Sequence, residues 1–418
     1  MKMRFLKSYI NILGILLLGV SANAQTTTSS PYSVYGIGEI RLPGYGSSRA
    51  MGSTGIGYSS SSELNPINPA SYNSIDSLAF IFETGIESHF SKYSLGDDSQ
   101  KGHHTNFSYL ALGFRYTPWW ANSIGIAPYS SVGNKLTVTN TIDGTSDYAT
   151  TSIEGTGGLN QFYWNNSFKL AKSLSVGVNI SGIFGNITQA QKTTSSYYQG
   201  TLTKEDNIYV SQFIANFGFQ YRAKLANKNK LTIGGIFSPK YSVKQNHTLY
   251  YYDQNSRVLD QSEDNSDNSI FYLPLTCGLG GSFQNDNLTI LADFSWQDWS
   301  ANESNVADVK YGKSSSLSLG VEYLPYKSFR DPYYKKIKYR IGAYNRNSYL
   351  LIKNHQLYDR GITAGLGIPI FKQRIHIDLS YEAGFKNGKG KGIISEKYQG
   401  VYFNLIMTDF WFVKPQYD

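Results

Sequence analysis

From Leu78 almost to the C-terminus, apolar side chains recur at every second residue, in one run after another. Leu78, Phe80, Phe82, Ile86 and Phe90 fall on one side of an extended chain, and Glu83, Glu87 and His89 fall on the other. Leu110, Leu112, Phe114 and Tyr116 repeat the pattern, as do Leu174, Val176, Val178 and Ile180, and Ile375, Ile377, Leu379 and Tyr381. A period of two places successive side chains on opposite faces of a strand. With a strand near Ser123 to Gly133, these runs predict fourteen strands.

The connections between the runs alternate in length. Short ones lie at Pro118 to Trp120, Ala171 to Ser173, Lys224 to Lys230, Gln284 to Asn287 and Lys372 to Arg374. Longer ones are expected near 91–104, 134–158, 188–206, 244–268, 300–313, 350–356 and 386–395. The stretch 325–335 is long although it falls on the short-turn side. Outer-membrane barrels have short periplasmic turns, longer outer loops and an even strand count. The predicted fold is all-β, a 14-stranded antiparallel transmembrane β-barrel of the cell outer membrane of a Gram-negative bacterium.

Composition agrees with that reading. Mean hydropathy is −0.34, yet aromatics make up 15% of residues, with 34 Tyr, and there are 40 Gly. No apolar stretch is long enough for a membrane-spanning helix, which excludes an inner-membrane protein. Tyr, Gly and alternating strands suit a cylinder with an apolar outside and a wet inside. Trp119, Trp120, Trp296 and Trp299 read as interfacial girdle residues.

Met1 to Ala24 has the layout of a secretory signal: Lys2, Arg4 and Lys7, then the apolar run Ile10 to Val20, then Ala22-Asn23-Ala24. Cleavage there leaves Gln25 first, and without Cys at that position N-terminal acylation is not expected. Net charge is +8, and removing the three signal cations leaves +5, too diffuse for a nucleic-acid stripe. The single Cys, Cys277, excludes an intrachain disulfide or thiolate metal site.

Gln25 to Ser61 cannot be strand or helix, but Tyr32, Tyr35, Ile37, Ile40, Leu42, Met51 and Ile56 argue that it packs against something. A fourteen-stranded lumen is wider than wall side chains can fill. Small inward residues such as Ser175, Gly177, Asn179, Ser181, Thr363, Gly365 and Gly367 leave room for an inserted segment. The predicted organisation is therefore signal peptide 1–24, N-terminal plug 25–76, barrel 77–413 and tail 414–418. Glu83, Glu87, Arg115, Asp293, Glu322, Arg340, Arg346, Asp378 and Glu382 are expected to face the lumen as a charged network. They could clamp the plug or merely satisfy one another.

Pro-Ile-Asn-Pro-Ala-Ser at 66–71 follows the Gly-rich block and immediately precedes the first strand. In that setting the chain resembles the FadL/TodX family of outer-membrane channels for hydrophobic molecules, as a divergent member rich in Tyr, Gly and Asn. The ending Trp411-Phe412-Val413-Lys414 adds to the likeness. The resemblance implies an N-terminal hatch in the lumen, with Asn68, Pro69 and Ala70 as its motif. It also implies an inward kink of the third strand that opens a side door. The matching stretch is Ile124 to Gly133, where Pro128 cannot donate to a ladder and Gly125 and Gly133 weaken it.

Passive uptake of hydrophobic small molecules of the long-chain fatty-acid kind, gated by the hatch, is the function this implies. The alternative is a FadL-like, PorV-like barrel that docks in a larger outer-membrane complex, because fold does not decide function. The expected partners are membrane lipids and lipopolysaccharide, a hydrophobic cargo, the outer-membrane insertion machinery that reads the aromatic final strand, and subunits of such a complex. No cofactor, nucleic acid or catalytic group is expected. His103-His104 near Asp97-Asp98 lacks further ligands, since adjacent imidazoles point apart on an extended chain. Residues 253–268 are oxygen-rich without calcium-loop spacing. The run Lys386 to Lys391 reads as a basic outer loop that could meet lipopolysaccharide.

Overall fold

A computed structural model describes residues 30–410, apart from 198–199, 227, 265–269, 305, 307, 329, 371–373, 389 and 391. The signal peptide, the tail 414–418 and the ending Trp411 to Lys414 lie outside the described residues. Fourteen antiparallel strands close into one barrel. The first six are β1 (Ala79–Leu95), β2 (Asp98–Thr117), β3 (Trp120–Thr141), β4 (Tyr148–Lys169), β5 (Leu174–Ser195) and β6 (Thr201–Lys224). β7 comes in two pieces, Lys230–Ser238 and Tyr241–Tyr252. β8 comes in three, Val258–Asp264, Ile270–Leu273 and Leu275–Gln284. β9 is Leu288–Asp298, and β10 is Val309–Tyr311 with Lys313–Tyr323. The last four are β11 (Lys338–Ile352), β12 (His355–Ile370), β13 (Ile375–Asn387) and β14 (Ser395–Phe410). β14 pairs with β1 from Ser395↔Ser94 to Phe410↔Ala79, which leaves no open edge there.

The period-two pattern sorts as expected. Phe162, Trp164, Phe217, Phe219, Ile290, Phe294, Ile341 and Ile362 are exposed on the outer face. Backbone groups satisfied by closure, with an apolar exterior, are what hydrocarbon demands. Trp119 is exposed near Trp120 and Phe168. Trp299 departs from its expected place in the girdle: it is 2% exposed, packed inside the barrel on Tyr349.

Most of the expected long outer loops are strand instead. β3, β4 and β5 run for 22 residues each and β6 for 24. Only about 9–11 residues are needed to cross hydrocarbon. The stretches 91–104 and 134–158 are hairpins turning at 96–97 and 142–147. Loss of outward apolar residues marks the place where a strand leaves lipid, whereas the Thr-rich sequence there still favours strand. The stretch 324–337 is irregular, with a 3-10 turn at Tyr333–Lys336, as its length suggested.

Residues 30–75 pack against the strands through their turns. They contain 3-10 turns at Pro31–Val34 and Pro69–Ser74, a helical turn at Gly46–Ala50 and a two-residue strand at Glu39–Ile40. Met51, Ala50, Ala70 and Tyr72 are almost wholly buried. A second apolar cluster fills the barrel beside this segment: Ile37 packs with Val132, Ile183, Ile187, Val210, Phe271 and Trp299. The lumen is therefore less wet than its composition implied, because apolar side chains of β3, β5, β6 and β8 pack together there with Ile37.

Candidate functional site

The Asn-Pro-Ala motif is the best-anchored part of the inner segment. Asn68 Oδ1 accepts from Ala70 N at 3.0 Å and so caps the 3-10 turn. Its Nδ2 donates to Ile56 O at 2.8 Å and to Phe219 O of the wall at 3.0 Å. Ser167 Oγ donates to Ala70 O at 3.0 Å. The wall opposite is made of glycine for a steric reason. A Cβ at Gly177 would lie 2.3 Å from the Pro69 carbonyl carbon, and one at Gly218 would lie 2.2 Å from Asn68 Oδ1. Across the lumen, Thr363 Oγ1 donates to Ala50 O at 2.8 Å and accepts from Gly52 N at 2.9 Å.

All nine charged positions singled out in the sequence lie on the inner side of the wall, and most of them reach the inner segment. Glu83 accepts from Leu64 N at 2.6 Å, and Asp293 Oδ2 accepts from Gly55 N at 2.6 Å and Ile56 N at 2.8 Å. Arg115 donates to Ile75 O at 3.2 Å. Glu87 pairs with Arg41. Arg340, wholly buried, meets Glu63 and Asp378 at 2.8 Å and Glu322 at 2.7 Å, and Lys338 also pairs with Glu63. Arg346 lies 3.4 Å from Asp359 and within 3.5 Å of Gly52 O. Glu382 instead accepts from Tyr402 at 2.5 Å. Lys386, expected in a basic outer loop, is turned inward to Glu39 at 2.6 Å and Glu396 at 3.7 Å. The partly exposed carboxylate of Glu39 and the buried one of Glu396 hold it there.

The ladder between β2 and β3 runs only from Thr117↔Trp120 to Leu110↔Ile126. Pro128 follows two residues later, and Tyr129 bulges out of the pairing with β4 between Pro128↔Asn160 and Ser130↔Leu159. From there Ser130 to Asn134 are buried one after another, so alternation has given way to a strand covered on both faces. Gly157 and Gly158 of β4, at φ of 99° and 146°, let the bend continue into the neighbouring strand. The freed edge of β3 takes up the inner segment: Glu39↔Ser131 and Ile40↔Ser130 pair, and Ser130 Oγ donates to Ile37 O at 2.6 Å. Gly133 donates its N–H to Ser33 Oγ at 3.2 Å. Gly125 pairs with both Ala111 and Tyr163, so it lies on the intact side of the break.

A cavity of about 220 Å³ lies between the inner segment and the wall. Pro43, Pro66, Ile67 and Pro69 form its inner side, and it reaches Tyr109 on β2 and Ala127, Pro128 and Tyr129 on β3. A second, of about 320 Å³, lies against the same Ile40 to Pro43 stretch. The sequence reading missed Arg41 and Glu63, which meet the wall charges. The signal was there, since few charges interrupt the Gly-, Ser- and Tyr-rich stretch before the first strand. It also missed Gly157, Gly158 and Tyr241, whose roles depend on register. Among the described residues no cluster of His, Cys, Asp or Glu has metal-site geometry.

The fold is shared with solved channels. The Ralstonia pickettii toluene transporter TbuX aligns with a TM-score of 0.57 at 15% identity, covering 88% of this chain and 98% of that one. The P. putida toluene transporter TodX aligns with a TM-score of 0.59 at 16% identity, covering 89% and 99%. A Pseudomonas aeruginosa FadL homologue aligns with a TM-score of 0.56 at 13% identity, covering 89% and 99%. No curated protein sequence is significantly similar to this chain. The closed barrel, its apolar exterior and this likeness place the protein in the outer membrane of a Gram-negative bacterium. The BamG family model matches residues 6–418, nearly the whole sequence, and so the chain belongs to the BamG family.

Proposed function

We propose that this protein is an outer-membrane channel for small hydrophobic compounds, with residues 25–76 as a hatch and the β2–β3 seam as a lateral exit. The observation that carries the reading is the cavity of about 220 Å³ between hatch and wall, which reaches Tyr109 on one side of the seam and Pro128 on the other. An apolar cavity of about 150 Å³ accommodates benzene. The volume therefore favours a single-ring or short-chain molecule over a long-chain fatty acid. Related folds include the toluene transporters TbuX and TodX, which supports that cargo class. Release into hydrocarbon avoids a return to water, where apolar surface is least favoured. Residues 1–24 act as a removable signal peptide and 414–418 as a tail in this scheme. The test is uptake of radiolabelled toluene by vesicles holding the purified protein. Rates no faster than in empty vesicles would overturn the reading.

Membership of the BamG family favours a second reading, a subunit docked in the outer-membrane machinery. Purification in mild detergent distinguishes the two: subunits of the outer-membrane machinery that co-purify at fixed stoichiometry support docking.

A further inference from the structure

The β2–β3 seam is not the only interruption of the wall among the described residues. The ladder between β6 and β7 comes in two pieces, Lys224↔Lys230 to Phe217↔Phe237 and Val210↔Gln245 to Thr203↔Tyr252. Six residues of β6, 211–216, and seven of β7, 238–244, lie between the pieces. Pro239 falls at the start of this interval and Pro274 lies near it on β8, and neither can donate to a rung. One side chain stands in for the missing backbone bonds. The Tyr241 hydroxyl donates to Ala215 O at 2.8 Å and accepts from Ala215 N at 2.9 Å.

The cavity beside the hatch runs to this interval. Its lining includes the inward Ile214 and Ile236, and also Phe217 and Phe237, which are exposed on the outer face of the barrel. The lining therefore takes in residues that face opposite sides of the sheet, at the place where the ladder is missing. Phe213, at the centre of the interval, is 75% exposed, and so the rim facing the bilayer is apolar.

We propose that the β6–β7 interval is a second lateral window, latched by Tyr241, through which an apolar molecule in the cavity exchanges with the hydrocarbon of the bilayer. The cargo class rests on the channel reading, whereas the window itself stands on the two-piece ladder and the cavity. A backbone ladder opens only by breaking several bonds together. A phenol opens by rotation of one side chain and gives up a single bonded residue.

The test uses the whole chain in lipid vesicles with Cys277→Ser, because the native thiol is exposed. A single cysteine is placed at Ile214, inward and within the interval, or at Ile183, which is equally inward but on β5, where both neighbours are fully laddered. A pyrene maleimide dissolved in the bilayer is the probe. Ile214→Cys is expected to label at least fivefold faster than Ile183→Cys, and adding Tyr241→Phe, which keeps the ring and removes the latch, is expected to raise the Ile214→Cys rate further. Equal rates at the two positions, or an Ile214→Cys rate indifferent to Tyr241→Phe, would overturn the window. Toluene flux is measured on the same vesicles. Labelling that follows the latch without any flux leaves the window standing and removes the channel reading; flux with Ile214→Cys silent does the reverse.

Discussion

The Arg340 guanidinium on β11 meets the Glu63 carboxylate at 2.8 Å, joining the barrel wall to the chain inside it. Glu322 on the adjacent β10 and Asp378 on β13, one strand beyond β12, hold the same guanidinium, and Lys338 adds a second cation to Glu63. Three carboxylates thus face two cations in a site closed to water. Removing Arg340 leaves the carboxylates in excess, whereas removing Glu63 leaves a balanced group. We expect Arg340→Met to destabilise the barrel by about 3–5 kcal/mol, and Glu63→Gln by about 1–3 kcal/mol. Unfolding in guanidinium followed by tryptophan fluorescence orders the two, and equal losses would mean that the cluster does not act as a unit.

Acid should weaken the seat of the hatch late. Burial raises the Glu63 carboxyl, but Arg340 and Lys338 overcome that and hold it below the usual carboxylate range. A group depressed in the folded state stabilises that state fully above its unfolded value, near 4.3 for glutamate. This contribution is lost as pH falls through the folded value. Channel conductance should therefore stay low from pH 7 to about pH 4 and rise only under stronger acid. Glu63→Gln should lack this component, so a wild-type rise already between pH 6 and pH 5, absent in Glu63→Gln, would contradict the ion-pair account.

Gly177 meets the Pro69 carbonyl so closely that no larger residue fits without moving the hatch. Gly177→Val should cost about 1–3 kcal/mol of overpacking. It should also raise open probability in planar bilayers. Gly281→Val on β8, where an added Cβ would meet only Thr232 O at 3.7 Å, is the control for strand position. Unaltered gating in Gly177→Val would show that the Asn68–Ala70 turn is not seated as described.

Pro128 lies just past the last rung shared by β2 and β3. Restoring a donor with Pro128→Val should favour extension of that ladder and slow toluene uptake several-fold. Uptake at the wild-type rate would count against the seam as an exit, and would leave the β6–β7 window to carry the flux.

Deleting residues 30–61 removes Arg41, the Glu39–Ile40 strand and the Met51 contact while keeping Asn68 to Ala70. Single-channel conductance should increase markedly, because the wall is wide enough to leave an aqueous bore once emptied. Conductance equal to that of the intact protein would mean that the bore is closed by the wall itself.

Much of the fold was legible in the chain. Alternation at Phe80, Phe82, Glu83 and Glu87 specifies which side of each strand meets lipid, since register and face are locked together by a period of two. The inward placement of Asp293, Arg340 and Asp378 followed from the same rule, as did the count of fourteen strands. Pro128 marked a weak point because a missing N–H is a local property.

Other features were not local. Trp299 looked like a girdle residue, yet it is buried where the bent β3–β5 wall and the inner segment leave space for it. Lys386 looked like a loop cation until Glu39, 347 residues away in sequence, was brought beside it. Tyr241 was one tyrosine among 34, and only the register of β6 against β7 aims its hydroxyl at Ala215. The sequence by itself determined a lipid-facing cylinder with a packed leading segment, because periodicity and composition act residue by residue. Which charges clamp that segment, where the cavity runs and where the wall can part were decided by tertiary structure, because each depends on groups far apart in the chain meeting within a few ångströms.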